Sequence, residues 1–253
     1  MSPITIIKSN PLIEKDFKPE GSDFLEVAEM FCDTIQGENH VGFPATFLRL
    51  KNCTLNCTWC DSASVWKFGN PYTFTELFEL MEKFDVINKF RNGQHLVLTG
   101  GSPLKQQIPL FNFIRRFIDM YQFKPYIEIE NECTLLPLLI HTYIDCWNNS
   151  PKLSNSGNGI KARYKPKVLT TLSGYDNSWF KFVITCEEDW EEIQAQYLDT
   201  ELIKKSQIVL MPEGETRKRV ENNREKVLEI AIRENVRYTT REHVILWDKK
   251  TGV

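Results

Sequence analysis

No apolar run in the 253 residues is long enough to span a bilayer, so a helical membrane segment is excluded at the level of sequence. No charged n-region followed by an apolar h-region opens the chain either, and a cytoplasmic location is the expectation. Charge of one sign is not in excess: 31 Lys and Arg face 34 Asp and Glu, for a net charge of −3. That balance gives no global field favouring nucleic acid, and neither a nucleic-acid nor a membrane partner is expected. Seven cysteines, an odd number with three inside eight residues, do not make a secreted disulfide framework, so a reducing compartment is implied. Internal repeats, low-complexity tracts and a second CxxC or HxxxH pair are all absent.

What is present is Cys53-Thr-Leu-Asn-Cys57-Thr-Trp-Cys60. Three thiols spaced C-x3-C-x2-C on one short loop can hold a metal centre and leave it one ligand short. A structural zinc is closed by four ligands and a [4Fe–4S] electron carrier by four thiolates, so three thiolates leave one iron open to a small molecule. The competing reading is a noncatalytic zinc-binding interaction protein, with Cys32, Cys133, Cys146, Cys186 or His40 as the fourth ligand. Isolated Cys133, Cys146 and Cys186 read as small buried hydrophobes.

Short β-rich segments alternate with amphipathic stretches, the pattern of a parallel sheet covered by helices, and the length suits one domain over 1–253. Strands are expected at 45–50, 95–99, 126–130, 143–146, 179–184 and 208–211. Thr73 and Glu76 form a capping box ahead of a helix running to Ile87. A helical stretch follows through Arg116 and Tyr121, and further helices are expected at 187–198 and 215–235. The segment from Lys152 to Ser178 has no clear periodicity and reads as a long loop or insertion. The first strand runs into the cysteine loop, and the second ends in Gly100-Gly101-Ser102-Pro103.

The cysteine loop, the glycine pair and the strand order resemble the radical S-adenosylmethionine (SAM) superfamily. The resemblance implies a partial (β/α) barrel with a reduced, six-stranded parallel core. It also implies a [4Fe–4S] cluster on Cys53, Cys57 and Cys60, with SAM chelating the fourth iron and yielding a 5′-deoxyadenosyl radical on reduction. Within that superfamily the chain is similar to the 7-carboxy-7-deazaguanine synthases. Phe31-Cys-Asp-Thr-Ile-Gln-Gly-Glu38, Phe47-Leu-Arg-Leu50, Trp59-Cys-Asp-Ser-Ala63, Glu130-Asn-Glu-Cys-Thr134, Ser150-Pro-Lys152 and the ending from His243 to Val253 carry that likeness. Implied with it is the ring contraction of 6-carboxy-5,6,7,8-tetrahydropterin to 7-carboxy-7-deazaguanine with loss of ammonia, a step toward queuosine-type deazapurines. Mg²⁺, a homodimer and an electron donor such as flavodoxin or ferredoxin are implied as well. A glycyl-radical activase shares the cysteine loop and the glycine turn, but not the other segments.

Residue by residue, the resemblance assigns Gly100, Gly101, Ser102, Glu130, Ser150 and Lys152 to SAM, with Glu130 equally placed for the pterin. It assigns Mg²⁺ to Ser62, with Asp61 as a weaker candidate that reads equally as an Asx-turn cap. Gln36, Gly37, Glu38, Arg49, His243 and the carboxylate of Val253 fall to the substrate, the tail folding back over the site. Alone, Gln36 and Glu38 form a turn before a strand, and His243 a partly buried histidine at a strand start. Arg49 stands out without the family: a charge inside an apolar strand needs a partner or a solvated cavity. Its guanidinium suits a bidentate carboxylate contact. Lys181 is left open, functional if it points inward and merely solvated if outward. Asn39, Ser102, Glu132 and Cys133 depart from the family pattern.

Overall fold

The computed structural model describes residues 3–8, 23–250 and 252. Its strands are β1 (Ile4–Lys8), β2 (Phe24–Ile35), β3 (Pro44–Leu50), β4 (Asn70–Thr73), β5 (His95–Gly100), β6 (Ile127–Asn131), β7 (Cys146–Asn149), β8 (Ser178–Ile184), β9 (Ile208–Pro212) and β10 (Arg237–Tyr238). The helices are α1 (Ala63–Trp66), α2 (Phe74–Lys83), α3 (Val86–Arg91), α4 (Gln107–Tyr121), α5 (Ile160–Arg163), α6 (Pro166–Ser173), α7 (Glu187–Ile193), α8 (Arg217–Glu234) and α9 (Glu242–Trp247). One sheet takes the order β1-β2-β3-β5-β6-β7-β8-β9-β10, with β4 paired to β2. Every pairing from β3 to β9 is parallel, which makes the expected six-stranded core. The two-residue β10 adds to it in parallel, while β1, β2 and β4 run antiparallel. Among the described residues β1 and β10 remain the two ends of the sheet, so the barrel is partial.

Side-chain alternation along these strands separates the core from the site. Leu48, Leu50, Leu96, Leu98, Ile127, Ile129, Trp147, Phe180, Phe182, Ile208 and Leu210 face outward into the hydrophobic core under the helices. Phe113 and Phe117 of α4 and Leu77, Phe78 and Met81 of α2 meet them there. The intervening positions, among them Phe47, Arg49, Thr99, Glu130, Lys181, Val183 and Met211, line an interior cavity. Because strands buried on both faces are apolar throughout in most parallel sheets, charges at alternate positions mark the face that is not core.

Several expectations change. The helix foreseen from Thr73 to Ile87 keeps its capping box, with Thr73 Oγ1 accepting from Glu76 N at 3.2 Å and Glu76 Oε2 from Thr73 N at 2.8 Å. It breaks at Asp85, whose φ of 59° starts α3 afresh. The segment 152–178 is not a long loop: Pro166 starts α6, and Val168, Leu169 and Leu172 bury on one side of it. Its helices are short, and the three apolar positions of α6 are too few to stand out from the polar stretch around them. The strand expected at 143–146 lies instead at Cys146–Asn149, after a 3₁₀ turn over Leu139–Tyr143. His243 sits in α9 rather than at a strand start. The twelve-residue β2 was not anticipated; Glu26, Glu29 and Asp33 interrupt its apolar pattern, and Asp33 adopts φ 58° where the register with β3 shifts.

Candidate functional site

The cysteine loop leaves β3 through Asn52, at φ 72°, and is pinned from the side by the turn at 154–158. Thr58 N donates to Ser156 O at 3.0 Å, Trp59 Nε1 to Asn155 O at 3.0 Å, and Asn56 N to Asn158 Oδ1 at 3.0 Å. Each sulfur also accepts a hydrogen bond: Cys53 from Leu55 N at 3.4 Å, Cys57 from Asn158 Nδ2 at 3.2 Å and Cys60 from Trp66 Nε1 at 3.4 Å, and Cys60 Sγ lies 3.8 Å from Ser62 Oγ as well. Donors to sulfur are among the devices that set the potential of an iron–sulfur centre. Asn155 and Asn158 were invisible in the sequence, since a polar turn carries no periodic signal.

All three cysteines are unpaired and partly exposed, and all three line the interior cavity. Their sulfurs are not among the ligand groups that converge within 4.8 Å in the described residues. Around one zinc, bonds of about 2.3 Å would bring them roughly 3.8 Å apart. The triplet therefore fits a centre wider than one ion, as a cluster is. Gly100 and Gly101 close the far side of the loop. A Cβ on Gly101 would come within 2.4 Å of Asn52 O and 2.6 Å of Cys53 Cβ, so the glycine turn packs directly on the cysteine loop.

The cavity encloses about 200 Å³ and opens to solvent at its mouth. Gln36, Gly37, Glu38, Arg49 and His243 reach it, as do Gly100, Gly101, Glu130, Ser150 and Lys152, together with Asp61 and Ser62. Val253 lies outside the described residues. Gly252 lines a neighbouring cavity that shares Arg49, Asp61, Ser62 and His243 with the first.

Two residues sit otherwise than expected. Ser102 is fully buried and off the cavity wall; its hydroxyl donates to Glu132 Oε1 at 2.8 Å. The Gln36 amide is committed to the barrel floor, donating to Glu128 Oε2 at 3.1 Å while its Oε1 accepts from Gly37 N at 2.6 Å and Glu38 N at 3.1 Å. Neither side chain is free to meet a ligand without giving up these partners. Lys181, undecided in the sequence, points inward and pairs with Glu38. Arg241 was missed: it lies in a short segment between β10 and α9, and its Nη2 donates to Asp61 Oδ2 at 2.6 Å.

Charge inside the cavity is arranged in pairs. Arg49 Nε contacts Glu29 Oε1 at 2.7 Å, and although burial works against its guanidinium, Glu29 more than restores it and raises its pKa. Burial pushes the Asp61 carboxyl up, but Arg241, His243, Arg49 and Lys181 outweigh it and hold Asp61 well below the usual carboxylate range. Glu130 moves the other way, to about 7, through burial and then the neighbouring Glu38 carboxylate; Thr99 Oγ1 donates to its Oε2 at 2.7 Å. Burial, seconded by Arg241, lowers His243 to about 4, and its Nδ1 would lie 3.3 Å from a Cβ on Gly37. At neutral pH the site thus presents a neutral imidazole, a titrating Glu130 and a fixed cation at Arg49. Lys152 Nζ donates to Ser150 O at 2.6 Å and Ser150 Oγ at 2.7 Å, joining those two on the cluster side.

Comparison with known proteins agrees with this geometry. Residues 37–129 match the family described as "4Fe-4S single cluster domain". The 7-carboxy-7-deazaguanine synthase of Pyrobaculum aerophilum is 28% identical, the match covering 90% of this chain and 97% of that one. Its counterpart in Halobacterium salinarum is 29% identical over 88% of this chain and 91% of the other. That of Koribacter versatilis is 30% identical over 66% and 68%. A crystal structure of QueE from Escherichia coli shares the fold, with a TM-score of 0.61 at 22% identity, covering 86% of this chain and 93% of that one. An open three-cysteine loop on a partial parallel barrel and near-full-length relatives of one kind lead to the same place: the chain belongs to the 7-carboxy-7-deazaguanine synthase family.

Proposed function

We propose that the chain converts 6-carboxy-5,6,7,8-tetrahydropterin to 7-carboxy-7-deazaguanine with loss of ammonia, as a radical SAM lyase in deazapurine biosynthesis. The observation that carries the reading is the convergence, around one cavity, of the three cysteines with Arg49, Glu130 and the Glu38–Lys181 pair. Cys53, Cys57 and Cys60 would hold a [4Fe–4S] cluster, which supplies the electron for reductive cleavage of SAM bound at its open iron.

The protein's own part is positioning. Gly100 and Gly101 let backbone approach the cosubstrate beside Cys53, and Ser150 with Lys152 offers a hydroxyl and an ammonium on the same side. Arg49 stands on the strand that feeds the cysteine loop, so a substrate carboxylate paired with it lies near the cluster. Glu38, Lys181 and Glu130 supply acceptors and a donor for the flat edge of a pterin, a task Gln36 cannot share while it serves the floor. Ser62, on the cavity wall, would offer Mg²⁺ a hard oxygen of the kind it takes. Asp61, committed to Arg241, is the poorer ligand. Gly252 beside Thr5 and Glu29 supports a tail that closes near the site. A small reduced flavodoxin- or ferredoxin-like carrier would deliver the electron, and a homodimer is the expected assembly.

Turnover of the carboxylated tetrahydropterin, set against the same pterin without its carboxylate, tests the placement. The carboxylated compound alone should react, and Arg49→Lys should raise its KM about tenfold or more, since an ammonium cannot reproduce a bidentate guanidinium contact. Equal use of both pterins would reject Arg49 as the carboxylate anchor. SAM cleavage with neither pterin altered would favour an activase.

A further inference from the structure

We infer that the floor of the barrel carries a second metal site, for a divalent ion of the zinc class, built from His40, Glu128 and Cys146. The loop after β2 runs beneath the starts of the parallel strands and presents His40 to β6 and β7. The ligand atoms of these three residues lie within 4.8 Å of one another, the one such group among the described residues. Glu128 and Cys146 are buried at 0% and 1% exposure.

The approach of His40 to Glu128 is the telling contact. Nδ1 and Oε1 are 3.2 Å apart, yet Nδ1 is buried and takes part in no hydrogen bond. A ring nitrogen and a carboxylate oxygen at that separation, out of line for a hydrogen bond, have the spacing of two ligands on one ion. Bonds of about 2.0–2.2 Å at a tetrahedral angle set N and O roughly 3.4 Å apart.

Donor type and charge agree. Imidazole, carboxylate and thiolate make a mixed N, O and S set, which suits Zn²⁺ and not the oxygen-seeking Mg²⁺. A neutral imidazole, two anions and a dication sum to zero, as a largely buried site favours. Among the described residues the polar partners of the Glu128 carboxylate are His40, His95, Asn148 and Gln36, none of them a permanent cation. On binding, the Cys146 S–H bond breaks, the S–Zn bond forms and the proton leaves to solvent. A fourth position falls to water, reached past His40, whose side chain is 27% exposed.

An outer shell is already in place. His95 Nδ1 lies 2.6 Å from Glu128 Oε1, Asn148 Nδ2 donates to Oε2 at 2.7 Å, and Asn39 Nδ2 donates to Cys146 Sγ at 3.7 Å. Such partners orient ligands and are part of a working site. Asn39, which departs from the family pattern, thus has a task here. Because Gln36 donates to the same carboxylate and also reaches the main cavity, an ion on the floor would stiffen the wall of the site above.

The test uses the full chain, with its cluster reconstituted so that the triplet is filled, then loaded with Zn²⁺ alone and freed of excess. One zinc per chain is expected, with a zinc-edge X-ray absorption spectrum showing one sulfur and the rest nitrogen or oxygen. His40→Ala, at a part-exposed position, and Cys146→Ser should each weaken zinc retention about tenfold or more while iron and sulfide content per chain, the check on folding, stays at the parental level. No zinc retained, zinc bound through three sulfurs, or retention unchanged in His40→Ala would each overturn the site. The outcome is independent of pterin turnover, so failure here leaves the proposed reaction standing.

Discussion

Arg49 and Glu130 show what single residues disclose. Arg49 announced itself because a guanidinium inside Ala45-Thr-Phe-Leu-Arg-Leu50 had to face a cavity or a partner, and it does both. Glu130 needed the fold, since nothing in Ile127–Asn131 foretells Glu38 beside it. Its folded pKa of about 7 lies above the model-peptide value of 4.5. The stability tied to the protonated form is therefore fully present below pH 4.5 and lost as the pH rises through 7. Glu130→Gln, which cannot ionise, should match the parent in unfolding free energy from denaturant titration near pH 5 and exceed it near pH 8, by at most a few kcal/mol. An equal difference at both pH values would mean that Glu130 is not strained by ionisation. Ser102 and Gln36 are the opposite lesson: both belonged to recognisable segments, but partners distant in sequence, Glu132 and Glu128, have claimed their polar groups.

At the scale of elements, the cysteine loop is shaped by two neighbours, of which only one was legible. The glycine turn was recognised from Gly100 and Gly101 after a strand, whereas the turn at 154–158 hid in a stretch without period. Gly101→Ala should displace the cysteine loop and lower iron and sulfide content after reconstitution, while Gly159→Ala, where an added Cβ meets nothing within 4 Å, should leave both unchanged. Asn158→Ala removes the amide donors to Cys57 and the acceptor for Asn56 N, and should shift the midpoint potential of the cluster with less effect on its content. The capping box at Thr73 was readable because its two partners are three residues apart. Thr73→Ala should cost about 1 kcal/mol and lower Tm by roughly 2–4 °C.

For the whole molecule, the parallel core could be foreseen because six short runs separated by helices leave few arrangements. What could not be foreseen is β2, whose acidic residues hide its strand character, and the floor that the following loop builds from His40, Glu128 and Cys146. Long-range pairing decides both. The parity of the strands then divides the chain into an apolar exterior under the helices and a charged interior that gathers Arg49, Glu130 and Lys181 around the three cysteines. No helix of the described residues is long and apolar enough to cross a membrane.

The measurement that bears most directly on this account is an anaerobic incubation of the reconstituted, reduced chain with SAM, Mg²⁺ and 6-carboxy-5,6,7,8-tetrahydropterin, with products identified by mass. The account predicts 7-carboxy-7-deazaguanine, formed only when both reductant and SAM are present and lost in Cys57→Ser. SAM cleaved to 5′-deoxyadenosine while the pterin is recovered intact, or a chain that takes up zinc at the triplet and no cluster, would contradict it.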